Sequence, residues 1–212
     1  MGELVADPVE HPVIRPSVNA LAQTYELALR DPELASVAQK DGARVNRFLH
    51  VAGSAQDLVM QNRMQRRLGQ LTGTCFQRCV GMDAINALHS VTFEIDAKHG
   101  TGYHARFNAF VAMAQRQNVV IGGAMTDVKG DRGKPPGGQA DPDLYVHVAR
   151  RTDEGVYIRG AKAHQTGCIN SHWLLVMPTI RLGPDDRDYA VVGAVPLAAP
   201  GITYINGRQS CD

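Results

Sequence analysis

The strongest constraint on this chain is a change of hydrophobic period near Asn118. Before it, apolar residues recur every three or four positions, as on one face of an α-helix; after it they alternate or run in short blocks, as in strands. A chain of 212 residues with that switch is predicted to be α+β, helices first and strands second. The boundary falls between 117 and 118, giving an N-terminal α-helical domain over 1–117 and a β domain over 118–212.

Four helices are predicted. Ser17 can cap the first, entered through HPVIRP, with Val18, Leu21, Ala22, Tyr25 and Leu29 as its stripe. Ser54 followed three residues on by Asp57 resembles a capping box and opens a helix with Met60, Met64 and Leu68 inward, ending near Gly69. From about Thr74 to Gly100, Phe76, Val80, Ala84 and Leu88 lie four apart, which predicts one helix containing both Cys75 and Cys79. The last runs over about 103–117 and buries Phe107, Phe110, Val111 and Ala114. Strands are predicted in VVIGGAM, LYVHVAR, VYIRGAK, WLLVMPTI, YAVVGAV and ITYIN, with a Gly/Pro/Asp-rich loop over 126–143. In LYVHVAR, Leu144, Val146 and Val148 should share one face and Tyr145 and His147 the other.

Lys plus Arg number 22 against 21 Asp plus Glu, a net charge of +1, so no field is available to hold a nucleic acid by charge. No apolar run approaches the roughly 18 residues of a membrane span, and MGELVADPVEHP lacks the basic and apolar regions of a signal peptide. A cytoplasmic protein without a membrane partner is the expectation. Four cysteines are too few for a disulfide scaffold. The closing GRQSCD directly follows an apolar segment and reads as a cut rather than a natural end.

Three stretches could carry chemistry. Cys75 and Cys79, one predicted helical turn apart, could present two thiolates to a metal or an iron-sulfur cluster, although buried packing is the commoner use of paired cysteines. GAKAHQTGCINSHW, residues 160 to 173, crowds Lys162, His164, Gln165, Thr166, Asn170, Ser171 and His172 between two apolar strands. That suits the donor and acceptor edge of a flat heteroaromatic cofactor, or a plain polar loop. AMTDVKGDRGKPPGGQADPD, residues 124 to 143, could wrap a phosphate or flavin edge, or be an exposed loop. There is no Walker A or GxGxxG pattern, no HExxH and no GxSxG, so Rossmann, zincin and serine-hydrolase chemistry are disfavoured.

TCFQRCVGMDA at 74–84, GGAMTDVKGDRG at 122–133, GAKAHQTGCINSHW at 160–173 and the closing YINGRQSCD together resemble the 4-hydroxybutyryl-CoA dehydratases. Those enzymes are also vinylacetyl-CoA delta-isomerases and sit in a wider group with the 4-hydroxyphenylacetate 3-hydroxylases. The likeness runs in order along nearly the whole chain, from HPVIRPSVNALAQTYELA onward. It implies an acyl-CoA dehydrogenase-like fold: a helical domain, a central β-barrel, and a C-terminal helical bundle that this chain lacks. It implies FAD and a [4Fe-4S] cluster as cofactors, radical dehydration of an acyl-CoA to crotonyl-CoA, and a cytoplasmic homotetramer. By the same match Cys75 and Cys79 ligate the cluster, and Gln77 and Thr166 face the reaction. The resemblance likewise implies that Met125, Thr126, Asp127, Lys129, Asp131, Arg132, His164, Gln165 and Thr166 help hold FAD.

The chain departs from the pattern in three ways. A cluster takes four ligands and only two matched ones are present, Cys168 and Cys211 lying off the ligand positions. Val128 stands where the family pattern has proline, and a short N-terminal segment of the family is absent. The implied reading is thus a fragment, inactive alone: either a second chain supplies the bundle or the reading frame is truncated, the family itself being homo-oligomeric. Two alternatives compete with it: a flavin-dependent 4-hydroxyphenylacetate 3-monooxygenase-like enzyme, and a non-catalytic relic or interaction module.

Overall fold

The computed structural model describes residues 2–207. Ser210, Cys211 and the closing residues of GRQSCD lie outside the described residues. Five α-helices come first: α1 (Arg15–Arg30), the single turn α2 (Pro32–Ala35), α3 (Ala55–Thr72), α4 (Cys79–His99) and α5 (Tyr103–Gln117). A small antiparallel pair, β1 (Ser36–Ala38) with β2 (Arg44–Asn46), sits between α2 and α3. The second half holds β3 (Ile121–Ala124), β4 (His147–Thr152), β5 (Gly155–Arg159), β6 (Trp173–Val176) and β7 (Gly193–Pro196).

Helix ends follow local chemistry. Ser54 caps α3 by accepting from the Asp57 amide at 3.1 Å, and its hydroxyl donates to Asp57 Oδ2 at 2.9 Å, which the Gly53 amide also reaches at 3.0 Å. Burial alone would raise the Asp57 carboxyl, but these hydrogen bonds and the nearby His50 outweigh it and hold it below the ordinary carboxylate range. A depressed carboxyl stabilises the fold above its unfolded pKa and loses that contribution as pH falls through the folded one. Ser54→Ala should therefore cost about 1 kcal/mol in urea unfolding at neutral pH, and the difference from the parent should shrink as the pH drops below about 4.

Of the four predicted helices, α1 and α3 differ from the pattern as follows, and α4 begins at Cys79 rather than near Thr74. The first starts at Arg15, with Pro16 in its opening turn; Ser17 lies inside that turn and donates to the Ile14 carbonyl, so it is not the cap. Its buried stripe is Ala20, Leu21, Thr24 and Leu27, and Leu29 is 84% exposed. α3 runs past Gly69 and stops at Gly73, which takes the left-handed conformation (φ 63°) that ends helices readily because glycine has no Cβ. α5 matches its expected bounds, with Phe107, Val111 and Ala114 buried and Phe110 packed beside them.

The main core joins the two halves. Ala84, Ile85, Phe107, Val111 and Ala114 from α4 and α5 pack with Leu49, Val119, Ile121 and Leu175, so β3 and β6 lie on the helix pair. A second cluster, Leu27, Ala35, Phe48, Met64, Leu68, Phe76 and Met82, closes the space between α1, α3 and the entry to α4.

Five of the six predicted strands form; ITYIN has no strand. They make a three-stranded sheet, β3 parallel to β6 and β6 antiparallel to β7, and a separate antiparallel ribbon of β4 and β5. Among the described residues these do not close into a barrel: the sheet strands are four residues long, and the ribbon pairs only with itself. The β4 register also corrects an expectation. Tyr145, expected to share a strand face with His147, precedes the strand and is buried, its hydroxyl donating to the Lys129 carbonyl at 2.9 Å. No described helix is long and apolar enough to cross a membrane.

Candidate functional site

The cysteine segment is a turn, not a helix. Residues 74 to 78 are non-helical and α4 begins at Cys79, so Cys75 and Cys79 do not share a helical face as the spacing predicted. The cause is Gln77, a buried residue in the left-handed region with φ 65°. That conformation costs a non-glycine side chain roughly 1–2 kcal/mol and interrupts any helix through 74–79. Tertiary hydrogen bonds hold it there. Gln77 Oε1 accepts from Asn170 Nδ2 at 2.7 Å, Gln77 Nε2 donates to the Ser17 carbonyl at 3.4 Å, and Asn170 Nδ2 also reaches Ser17 Oγ at 2.8 Å.

Gly167 makes this contact possible. Its φ is 77°, and a Cβ there would lie 2.6 Å from Gln77 Cβ, a distance real Cβ atoms do not reach. The segment around Thr166 is thereby pressed against the turn that carries the two cysteines. Removing the lock by Asn170→Ala leaves Gln77 Oε1 without its donor and should cost about 2 kcal/mol in denaturant unfolding. A cost within about 0.5 kcal/mol would show that the contact is slack.

Arg78, between Gln77 and Cys79, is the residue sequence reasoning missed. It is 2% exposed, and no carboxylate among the described residues pairs with it. Its guanidinium lies 4.8 Å from the Tyr25 ring centroid and 5.0 Å from that of Phe48, and donates to Thr24 Oγ1 at 3.1 Å and the Val119 carbonyl at 3.0 Å. Burial pulls it down to about 10, so it remains a cation at neutral pH. The signal available in TCFQRCV was an arginine between Phe76 and Val80, two members of the predicted buried stripe.

The two thiols differ. Cys75 is exposed and Cys79 half-buried; burial, then the neighbouring Cys75 and Asp83, push the Cys79 thiol up.

The second wall of the site is two segments bound together. Asp127 and Lys162 form a bridge, the Ala163 amide donates to the Thr126 carbonyl at 2.9 Å, and the Met125 amide donates to Gln165 Oε1 at 3.2 Å. Gln165 Nε2 returns to the carbonyls of Thr126, at 3.2 Å, and Ala163. Lys162 Nζ spends its three protons on the Asp127 carboxylate, the Met125 carbonyl at 3.0 Å and the Met177 carbonyl at 2.8 Å. Asp127 is 4% exposed, and its Oδ2 accepts from the Thr179 amide and hydroxyl at 3.3 and 3.0 Å.

This divides the predicted flavin residues into two kinds. Met125, Thr126, Asp127 and Gln165 are occupied in joining the segments. Lys129 sits at φ 79° with its carbonyl taken by Tyr145, and Asp131 is turned to Gly133, its own amide meeting Gln139. Thr166, His164 and Arg132 are exposed, and their side chains make no hydrogen bond within the described residues. A hydroxyl, an imidazole and a guanidinium are fitting partners for a flavin ring edge and its phosphates. Beside β3, the His172 Nδ1 accepts from the Val120 amide at 3.0 Å, and partial burial, then Arg78, hold its ring below the ordinary imidazole value.

The fit to a cluster is partial. A thiol pair at the mouth of a turn can hold one edge of an iron-sulfur cluster, and no third His, Cys, Asp or Glu joins it among the described residues.

Comparison with known proteins extends these observations. The family model described as 4-hydroxyphenylacetate 3-hydroxylase N terminal matches residues 1–212. The chain is 50% identical over 215 residues to a 4-hydroxybutyryl-CoA dehydratase/vinylacetyl-CoA-Delta-isomerase of Clostridium aminobutyricum, covering 100% of this chain and 44% of that protein. The structure of an oxygen-tolerant archaeal 4-hydroxybutyryl-CoA dehydratase from N. maritimus superposes with a TM-score of 0.96 at 66% identity, covering 100% of this chain and 42% of the other. The oxygenase component of 4-hydroxyphenylacetate 3-monooxygenase, complexed with FAD, superposes at a TM-score of 0.75 with 25% identity, over 94% of this chain and 41% of the other. The chain thus spans less than half the length of each of these relatives.

Proposed function

Because the chain belongs to the 4-hydroxyphenylacetate 3-hydroxylase N-terminal family, we propose that it forms the flavin-facing part of an FAD-dependent 4-hydroxybutyryl-CoA dehydratase. The observation that carries the reading is the lock of Gln77 with Gly167 and Asn170, which sets the two-cysteine turn against the HQTG segment. The relatives' names supply the substrate class, an acyl-CoA with a hydroxyl to be lost.

In this reading Thr166, His164 and Arg132 bind FAD, and the scaffold of Met125, Thr126, Asp127, Lys129, Asp131 and Gln165 shapes the loop around it. Cys75 and Cys79 supply two thiolates to a [4Fe-4S] cluster, the other ligands coming from outside the described residues in the same or a second polypeptide. Gln77, fixed by Asn170, orients its carboxamide at the site, and Thr166 presents a hydroxyl to the flavin side. A bound flavin supplies one-electron redox chemistry that amino-acid side chains lack. Residues 1–117 then act as the helical domain, and 118–212 as part of a central barrel domain like that of the acyl-CoA dehydrogenases.

The test is an anaerobic assay of the protein in its complete assembled form, reconstituted with FAD, iron and sulfide, read as crotonyl-CoA formed from 4-hydroxybutyryl-CoA. Turnover that falls at least tenfold in Thr166→Val supports the proposal. Hydroxylation of 4-hydroxyphenylacetate with reduced FAD and oxygen, without dehydration, would replace it by the monooxygenase reading.

A further inference from the structure

The first turn of α4 approaches β3 more closely than side chains normally allow. A Cβ on Gly81 would fall 2.1 Å from the Ile121 carbonyl oxygen, so α4 touches the β3 backbone directly at that point. One residue earlier, Val80 fills the space over Gly123: a Cβ on Gly123 would meet Val80 Cγ1 at 2.3 Å and Val80 Cβ at 3.5 Å. On the other face of the strand, a Cβ on Gly122 would meet Ser171 Oγ at 2.4 Å. Alternation along a strand places Gly122 and Gly123 on opposite faces, so each face of β3 receives one neighbour where it has no side chain.

The chain direction makes this contact consequential. Val80 and Gly81 directly follow Cys79, and Gly123 is two residues before Met125, where the Asp127 and Lys162 scaffold starts. Beside the Gln77 lock, a second route from thiol pair to flavin loop therefore runs through a rigid contact of backbone on backbone and methyl on glycine. Close-packed interiors transmit displacements of this kind.

We propose that Val80, Gly81 and Gly123 are positioning residues that fix the separation between the Cys75 and Cys79 turn and the Met125 to Arg132 loop, touching neither cofactor. The inference rests on the reading of those two segments as cofactor sites, but the separation itself can be measured without cofactors. Gly123→Ala should push the two segments apart. Val80→Ala in the same chain should bring them back, because Val80 Cβ lies at the ordinary contact distance of 3.5 Å from the new methyl.

The experiment is a pulsed electron-electron distance measurement between nitroxide labels on Cys75 and on Val128→Cys, with the remaining cysteines replaced by serine. Both labelled positions are exposed. A shift of the distance peak, or at least a twofold broadening, is expected in Gly123→Ala, with recovery of the parent distribution in the double variant. Should Gly123→Ala not fold, Val80→Ala alone, which opens the gap at a partly exposed side chain, should broaden the distribution. An unchanged distribution in Gly123→Ala, or in Val80→Ala where only that variant folds, overturns the proposal, as does a shift that Val80→Ala fails to reverse. FAD titration of the unlabelled parent is run beside it. A parent that binds no FAD counts against the functional reading, while the distances still decide the spacing contact.

Discussion

Arg78→Met should destabilise the protein by about 3–5 kcal/mol, a large fraction of the stability of an ordinary domain. The guanidinium is sealed between the faces of Tyr25 and Phe48, and its cation-aromatic contacts are desolvated, the condition in which they are strongest. Methionine replaces some of the volume but none of the donors, so Thr24 Oγ1 loses a donor and the Val119 carbonyl is stranded beside β3. Arg78→Lys keeps the charge yet cannot donate in both directions from one planar group, and should lie between the two. Equilibrium urea unfolding followed by far-UV circular dichroism measures both. A loss below about 1 kcal/mol for Arg78→Met would mean that the buried cation costs as much as it stabilises.

Asp127→Ala carries the second large effect, also about 3–5 kcal/mol. It leaves the Lys162 ammonium, whose side chain is 9% exposed, with two carbonyls and no counter-charge, and it frees the Thr179 amide and hydroxyl. The double variant Asp127→Leu with Lys162→Met should be less destabilised than Asp127→Ala alone, because it removes the uncompensated charge. Its FAD affinity should still fall, since the bridge that joins Met125 and Thr126 to Ala163 and Gln165 is lost. Differential scanning calorimetry and flavin titration separate those two consequences. Equal stability of the single and double variants would contradict the account of the pair.

What could be read from the residues alone was what depends on near neighbours. The switch of period at Asn118, the Ser54 cap and the inward face of α5 rest on contacts a few residues apart, and these appear as expected. The cysteine turn was misread because its conformation is set from far away. Phe76, Val80, Ala84 and Leu88 keep a helical spacing, but Gln77 is held left-handed by Asn170, 93 positions on, and by Gly167. Val80 itself is 39% exposed, so one member of the apparent apolar stripe serves as a contact to β3 instead.

The predicted flavin residues show the same limit. Composition marked Gln165 and Thr166 equally as polar groups near a ligand. The folded chain separates them, turning Gln165 onto the backbone of the neighbouring segment and leaving Thr166 outward. Likewise, the alternation in LYVHVAR placed Tyr145 in a strand that begins only at His147. Whether a polar side chain serves the scaffold or a ligand is decided by partners distant in sequence, which spacing cannot register.

The central claim, that the cysteine turn and the HQTG segment form one two-cofactor site, is tested most directly by cofactor loading. The protein in its complete assembled form is reconstituted anaerobically with iron, sulfide and FAD, and iron and flavin per chain are measured for the parent, for Cys75→Ser with Cys79→Ser, and for Thr166→Val. The account predicts that the parent takes up both cofactors, that the serine pair loses at least tenfold of its iron while retaining FAD, and that Thr166→Val weakens FAD while retaining iron. Iron uptake unchanged by the loss of both thiols, or a parent that takes up neither cofactor, would contradict it.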